Sequence, residues 1–187
     1  MPDPRPPLLL LACCAPDATV CIERLAPEWQ VTVFFYNPNI HPRGEYELRL
    51  AEMRKVAQAM GVTLIEGPYE DQLWFEAVRG LEQEPERGRR CAVCFRVRLE
   101  ETARYALSRG ISTFTTTLTV SPHKDAGLIS DIGQEVARQH GVEYLAVDFK
   151  KKDGFKRSTE LSRALGLYRQ NYCGCIFSMR RRGQEER

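Results

Sequence analysis

The sequence lacks an apolar run long enough to cross a membrane. The run near its start is only Leu8–Ala12, far below the roughly 20 residues of a transmembrane helix. It is also shorter than the roughly 7–15 residues of a signal-peptide core, and four prolines precede it within residues 2–7. We therefore expect a cytoplasmic protein without a membrane partner.

The chain also lacks a large excess of one charge, an internal repeat and a long linker. Its 187 residues carry a net charge of +2 and are 43% hydrophobic, which excludes a histone-like polycation and suits one well-packed domain. We expect a single domain over residues 1–187, with a flexible terminus over 1–7 and a basic tail over 179–187. Local positive charge is concentrated in Lys150–Arg157 and Arg180–Arg182, which either bind phosphates or remain solvated.

Alternation of strand-like and helix-like segments predicts the fold class. Apolar, β-branched and aromatic residues predict strands at Leu8–Ala12, Val31–Tyr36, 62–67, 112–120 and 143–149. Helical spacing of apolar residues predicts helices at Asp17–Leu25, 45–60, 74–80, Cys91–Ser108, from Ser121 to about 141, and Thr159–Leu165. This order predicts an α/β fold with a single doubly wound, mostly parallel, Rossmann-like sheet and helices on both faces.

Ligands of such sheets bind beyond the carboxyl ends of the strands. The motif CCAPD, which contains Cys13, Cys14 and Asp17, follows the first predicted strand directly. Asn37 and Asn39 follow the second predicted strand. We therefore expect a functional site at this edge of the sheet.

Cysteines are the strongest functional signal in the chain. Six of the seven form the tight groups Cys13–Cys14, Cys91–Cys94 and Cys173–Cys175, whereas cysteines of a packed core would be scattered. An odd number of cysteines in a reducing compartment makes disulfides a poor explanation, so the grouping indicates metal ligands. Cys21 lies on the apolar side of the first predicted helix, which predicts a buried structural thiol.

The local sequence favours metal binding at two of these groups. Cys91 and Cys94 are spaced i, i+3 on a predicted helix, which turns both sulfurs to one side. Gly174 separates Cys173 from Cys175 and allows the backbone to bend sharply around an ion. The start of the helix and four nearby arginines should favour thiolates; these are Arg89, Arg90, Arg96 and Arg98.

The number of donors bears on the metal. Six grouped cysteines and Asp17 make seven donors, more than the four that one structural zinc requires. An iron–sulfur cluster uses four protein ligands, so a cluster with a second metal accounts for all seven. Structural zinc remains the alternative.

Six motifs between Leu8 and Ser178 resemble the QueH family of epoxyqueuosine reductases; they are CCAPD, FFYNPNIHP, EYELRLAEM, CAVCFRVRLEETA, TTTLTVSP and GLYRQNYCGCIFS. The resemblance implies the final step of queuosine synthesis, in which the epoxide oxygen is removed reductively from epoxyqueuosine at the wobble position of a tRNA anticodon. It also implies a 4Fe–4S cluster, an adjacent mononuclear iron, an electron donor that the sequence does not identify, and a fold related to the PP-loop type.

The seven donors are expected to divide between the two metals. Adjacent side chains point apart in extended backbone, so Cys13 and Cys14 should face different metals. We expect the cluster to be held by Cys14, Asp17, Cys91 and Cys94. We expect the catalytic second iron, with a coordination position left free, to be held by Cys13, Cys173 and Cys175.

Polar residues of the shared motifs are candidates for the remaining roles. Candidate proton donors are His41, Tyr36, Tyr168 and Tyr172, of which His41 is expected to be catalytic. Candidate substrate contacts are Tyr36, Asn37, Asn39, Tyr168 and Arg169. The basic runs are candidate contacts to tRNA phosphates. Each of these residues also has an ordinary structural interpretation, as a turn, core or solvated residue.

Two other functions remain open on sequence grounds. A PP-loop tRNA-modifying enzyme requires a glycine- and serine-rich phosphate loop, and the corresponding segment here, CCAPDAT, has no glycine. A zinc-stabilised RNA-binding module would contain zinc in place of iron and sulfide, so metal analysis of anaerobically purified protein separates it from a reductase.

Overall fold

The computed structural model describes residues 4–185, and their side chains as far as residue 180. At its centre is a five-stranded parallel sheet with the strand order β3-β2-β1-β4-β5. The strands are β1 (Pro7–Leu11), β2 (Gln30–Phe35), β3 (Thr63–Glu66), β4 (Thr113–Thr116) and β5 (Glu143–Tyr144). The chain reverses direction across the sheet after β3, which confirms the doubly wound α/β prediction.

Seven helices surround the sheet in the described part of the chain. They are α1 (Ala15–Leu25), α2 (Arg43–Met60), α3 (Asp71–Ala77), α4 (Arg89–Ser108), α5 (Ala126–His140), α6 (Gly154–Ala164) and α7 (Ile176–Glu185). No helix among residues 4–185 is both long enough and apolar enough to span a membrane.

The central strand β1 explains why helices cover both faces. Its side chains alternate between the faces: Leu8 and Leu10 pack with α1 and α2, whereas Leu9 and Leu11 pack with α4 and α5. All four leucines are fully buried, as expected for a parallel strand with a core on each side. Cys21 is buried in the first of these cores, which confirms the prediction made for it.

The second half of the sheet is shorter than predicted. After Thr116 the chain turns into a short 3-10 helix, Thr117–Val120, because the Thr116 hydroxyl accepts a hydrogen bond from the backbone of Leu118. The predicted fifth strand stops after two residues. Threonine hydroxyls replace the sheet ladder there: Thr115 donates to the carbonyl of Leu145 and Thr119 to that of Val147.

Two helices begin five residues away from their predicted starts, α3 lies three residues earlier than predicted, and one helix was not predicted. Helix α5 begins at Ala126 rather than near Ser121, because Asp125 caps it by accepting hydrogen bonds from two backbone N–H groups. Helix α6 begins at Gly154, before the predicted Thr159, and α7 was not predicted. A Cβ at Gly154 would lie 1.6 Å from the carbonyl oxygen of Phe149, so only glycine fits this close approach.

Candidate metal centre

A cavity of about 280 Å³ lies at the carboxyl edge of the sheet. Loops after β1, β2 and β4, the start of α4 and the segment before α7 together form its wall. Six of the seven predicted donors line it, namely Cys13, Asp17, Cys91, Cys94, Cys173 and Cys175. The seventh, Cys14, lies beside Cys13. The fold therefore brings all the predicted donors to one place.

Three donors from the β1–α1 junction form a compact trio. Cys13 follows β1, Cys14 is the N-cap of α1 and Asp17 lies in its first turn. The sulfur of Cys13 is 3.9 Å from that of Cys14 and 3.8 Å from Asp17 Oδ2, and the three donor atoms lie within 4.8 Å of one another. The hydroxyl of Thr117 holds Cys13 by donating to its sulfur and accepting from its backbone N–H.

Burial and mutual repulsion govern protonation of this trio. Burial, with a negative charge on Cys13, raises the pKa of Asp17 to about 7. The hydrogen bond between the two thiols lowers the pKa of Cys13 and raises that of Cys14. Crowded buried donors that resist losing their protons are stabilised by a cation in their midst, and binding such a cation releases the protons.

The other four of the six grouped cysteines come from α4 and from the segment before α7. Cys94 and Cys175 are buried together against Trp74. A negative charge on Cys173 raises the pKa of each of the other three thiols in this set, so the four lie within electrostatic reach of one another. They form a second donor group, which we call the four-cysteine group: Cys91, Cys94, Cys173 and Cys175.

Contacts far apart in the sequence hold the second half of this group in place. The guanidinium of Arg49 donates to the carbonyls of Tyr172 and Cys173, each at 3.1 Å. The backbone N–H of His41 donates to the carbonyl of Gly174 at 2.8 Å. Gly174 adopts a φ of 129°, which agrees with the sharp bend predicted between the two cysteines.

The four arginines near α4 do not act alike. Arg90 and Arg98 are each 1% exposed and line the cavity, whereas Arg89 and Arg96 form ion pairs with Glu84 and Glu135. Burial nevertheless outweighs the buried cations, because the pKa is raised to about 12 for Cys94 and to about 11 for Cys175. The expected thiolates therefore require a bound metal ion that displaces the protons.

Three of the predicted substrate or proton contacts line the cavity: Asn39, Arg169 and Tyr172. Asn39 is 2% exposed, and its Oδ1 has no hydrogen-bond partner, so an acceptor is available there. The hydroxyl of Tyr172 donates to the carbonyl of His41. Arg169 donates to the Ser162 hydroxyl at 2.7 Å.

The other four predicted contacts do not line the cavity. Asn37 donates to the carbonyl of Ala12 at 2.9 Å and so ties the loop after β2 to the end of β1. Tyr36 donates to Glu70, and Tyr168 to Glu45. His41 is buried between Trp74 and Phe75, with no partner for either ring nitrogen, and burial lowers its pKa.

Lys124 is a cavity residue that the sequence did not indicate. Burial opposes its charge, but negative charges on Cys173, Cys13 and Asp17 raise its pKa above the ordinary value. The motif SPHKD follows the fourth strand at the same edge of the sheet as CCAPD, and this position could have identified Lys124 as a site residue. The predicted helix start at Ser121 puts Lys124 within a helix, so the sequence did not indicate that Lys124 lies in a loop at the site.

The basic run 150–157 is only partly free to bind another molecule. Lys150 donates to the carbonyl of Lys124 at 2.8 Å, and Arg157 forms an ion pair with Glu23. Lys151 and Lys152 are exposed. Phe155, 40% exposed, lines the cavity, and Arg169 stacks over its ring. Arg180 is exposed; the side chains of Arg181 and Arg182 lie outside the described part of the chain.

Comparison with known proteins identifies the family of the chain. The sequence model of the family "Epoxyqueuosine reductase QueH" matches residues 8–181. The chain is 40% identical to the epoxyqueuosine reductase QueH of Streptococcus pyogenes serotype M1 over 185 residues, which cover 96% of this chain and 72% of that protein. For the Haemophilus influenzae protein of the same name, identity is 40% over 182 residues, which cover 96% and 74%. For that of Thermotoga maritima, identity is 38% over 181 residues, which cover 95% and 93%. The chain therefore belongs to the QueH family of epoxyqueuosine reductases.

Proposed function

We propose that this protein is an epoxyqueuosine reductase, which removes the epoxide oxygen from epoxyqueuosine in a tRNA anticodon. The observation that carries the proposal is the convergence of three cysteine groups and Asp17 on one cavity. Converting an epoxide to an alkene consumes two electrons and two protons and releases water. A redox cofactor that supplies these electrons fits this cavity, because the convergent thiols and the carboxylate are metal ligands.

The donors fit a 4Fe–4S cluster and a single iron. Each ligand of such a cluster binds a different iron atom, so the ligands are more widely spaced than those of one ion. In the described part of the chain, only Cys13, Cys14 and Asp17 bring three donor atoms within 4.8 Å of one another, which suits one iron. The more widely spaced four-cysteine group suits the cluster.

This division differs from the one expected from the sequence. Cys13 and Cys14 would face different metals only if extended backbone continued past them. Helix α1 instead begins at Ala15 and returns Asp17 to within 3.8 Å of Cys13. Cys13, Cys14 and Asp17 would hold the single iron, which with three protein ligands could also bind substrate.

The chain itself positions the donors and shields the site. When bound, a cluster supplies electrons one at a time, and an iron with an open position polarises a carbon–oxygen bond. Thr117 fixes the side chain of Cys13, and Arg49 fixes the loop that carries Cys173. Trp74, Phe95 and Leu128 line the wall and exclude water from it.

Lys124 is the source of a proton for the departing oxygen. It lines the cavity near Cys13 and Asp17, and its ammonium group has protons to donate. Tyr172 is the other candidate on the wall, but its hydroxyl already donates to the carbonyl of His41. His41, the candidate favoured by the sequence, does not line the cavity.

The tRNA reaches the cavity across α6. Unpaired anticodon bases stack on aromatic rings and on arginine planes, and Phe155 with Arg169 presents both at the cavity rim. Exposed Lys151 and Lys152 precede Phe155 and bind phosphates of the same loop.

The test is anaerobic reconstitution with iron and sulfide, followed by reaction with dithionite and an anticodon stem-loop that carries epoxyqueuosine. We expect the product to have lost one oxygen atom by mass spectrometry. Cys21→Ala, which removes a thiol buried outside the cavity, is the matched control and should remain active, whereas Cys91→Ala should be inactive. Zinc without iron in the reconstituted protein, or an intact cluster without product, contradicts the proposal.

A further inference from the structure

Arg98 is a buried cation that lies near both donor groups. It follows Cys94 by one turn of α4, so the two side chains share a helix face, and it is 1% exposed at the cavity wall. The cation acts with the Cys14 hydrogen bond to lower the pKa of Cys13. It also opposes the burial that raises the pKa of Cys94. Its charge therefore reaches one thiol of each group.

The guanidinium of Arg98 is not paired with a carboxylate in the described part of the protein. Its Nη2 donates to the neutral side chain of Asn37 at 2.6 Å, and its Nε is buried without a hydrogen-bond partner. Among residues 4–180, whose side chains are described, no carboxylate forms an ion pair with it. A buried cation of this kind destabilises a fold unless an anion lies beside it.

Arg90, another buried arginine of the cavity wall, has more compensation. Its Nη1 donates to the carbonyls of Leu81, Glu82 and Glu84, and its guanidinium stacks over Phe177 at 4.8 Å, although its Nε and Nη2 have no hydrogen-bond partner. The carbonyl dipoles balance part of its charge. Arg49, the third buried arginine, pairs with Glu45. In the described part of the chain, Arg98 is thus the buried arginine of the cavity wall that donates to neither a carboxylate nor a backbone carbonyl.

We propose that Arg98 is a positioning residue that balances the negative charge of the thiolate-bound metal centre and raises its reduction potential. This inference rests on the proposed function. A cluster bound by four thiolates is negatively charged, and reduction adds another electron. A fixed cation at close range stabilises the reduced form more than the oxidised form. Asn37, bonded to both Arg98 and the end of β1, fixes the distance of that cation from the centre.

The test compares charge at position 98 in the reconstituted protein. Arg98→Met and Arg98→Gln remove the charge, and Arg98→Lys retains it. Arg96→Met is the control, because Arg96 lies on the same helix as Arg98 but pairs with Glu135 of α5. The measurement is an anaerobic redox titration followed by electron paramagnetic resonance. We expect each neutral variant to lower the reduced-to-oxidised ratio at a fixed potential at least tenfold, which is about 59 mV for a one-electron couple. Arg98→Lys should stay within about threefold of wild type and Arg96→Met should be unchanged.

Thermal unfolding with and without the metal centre separates charge compensation from a structural role. In the metal-free form, a neutral variant should be at least as stable as wild type, because an uncompensated charge is gone. In the metal-loaded form, the same variant should be less stable than wild type. An equal decrease in the melting temperature of the metal-free and metal-loaded forms means that Arg98 only supports Asn37, and this result overturns the inference. So does an unchanged potential in a neutral variant that carries the cluster. A neutral variant that does not hold the cluster, beside an Arg98→Lys that does, supports the inference. If the wild-type protein takes up no cluster, this result contradicts the proposed function itself, and the proposed role of Arg98 is contradicted with it.

Discussion

At the scale of single residues, the cavity surrounds its donors with fixed positive charge. Lys124 lies near the trio formed by Cys13, Cys14 and Asp17, and Arg98 lies one helical turn from Cys94. Fixed charges of this kind would stabilise the negatively charged metal centre proposed above.

Replacing Lys124 tests its role as a proton donor. Lys124→Met should lower the single-turnover rate about 100-fold or more, the usual range for losing a general acid, while cluster absorbance is unchanged. Lys124→Arg is the control, since it keeps the charge but gives up a proton far less readily. If arginine restores the full rate, Lys124 acts through its charge alone. A wild-type rate in Lys124→Met contradicts both roles.

Two cysteine variants test how the donors divide between metals. If Cys13 binds the single iron, Cys13→Ala should abolish turnover and keep most of the cluster absorbance, whereas Cys173→Ala should lose both. Retention of the cluster in Cys173→Ala as well as in Cys13→Ala would support the division expected from the sequence, with Cys13, Cys173 and Cys175 on one iron. Visible absorbance and iron content of anaerobically reconstituted protein measure the outcome. Cys21→Ala, as the control, should only lower the free energy of unfolding by about 1 kcal/mol.

At the scale of elements, the start of α6 depends on one close backbone approach. Gly154 leaves no room for a Cβ against the carbonyl of Phe149, and Arg24 binds the same carbonyl at 3.1 Å. Phe155, at the cavity rim, is the next residue. The position of the rim is therefore set by how α6 packs against α1.

Adding one methyl group tests this close approach. Gly154→Ala should lower the free energy of unfolding by about 1–3 kcal/mol, as expected when an atom is forced into filled space, and should weaken tRNA binding through Phe155. Gly44→Ala is the matched control, because nothing lies within 4 Å of its added Cβ in α2; it should raise stability by up to about 1 kcal/mol. Urea unfolding of the metal-free proteins measures both. Equal stabilities would contradict the close approach.

At the scale of the whole molecule, the loops at one edge of the sheet form both the candidate metal centre and the surface beside it. The far end of α4 lies about 30 Å from its cysteine-bearing start, since the helix has 20 residues. Charges at that end are therefore remote from the cavity. This separation provides a control for electrostatic binding of tRNA.

Neutralising exposed lysines near the cavity should weaken tRNA binding without changing the metal centre. In the double variant Lys151→Gln, Lys152→Gln, the slope of log binding constant against log salt should become shallower by about 0.7 for each phosphate that a lysine no longer neutralises. The control is Arg104→Gln, Arg109→Gln at the far end of α4, which should bind like wild type. Filter binding over a range of salt measures both slopes. Equal slopes in all three proteins would mean that Lys151 and Lys152 are solvated surface residues that do not contact tRNA phosphates.

The sequence by itself determined the alternation of strands and helices in a parallel sheet and the local grouping of the cysteines. The run Leu8–Ala12 predicts a strand buried on both faces because alternate side chains meet different helices, and cysteine spacing within each group is a local property. The predictions that failed, such as a helix starting at Ser121, concern boundaries that depend on single hydrogen bonds. Asp125 caps α5 and Thr119 replaces a strand ladder, and neither interaction has a periodic signature.

Only the tertiary structure decided how the donors group and which charges face them. Cys94 and Cys175 are far apart in the chain and meet because Arg49 anchors the segment before α7. Arg96 and Arg98 are two residues apart on one helix, yet the first pairs with Glu135 while the second is buried at the cavity. Burial and pairing depend on what packs opposite a residue. That partner comes from distant parts of the chain, so local sequence does not specify it.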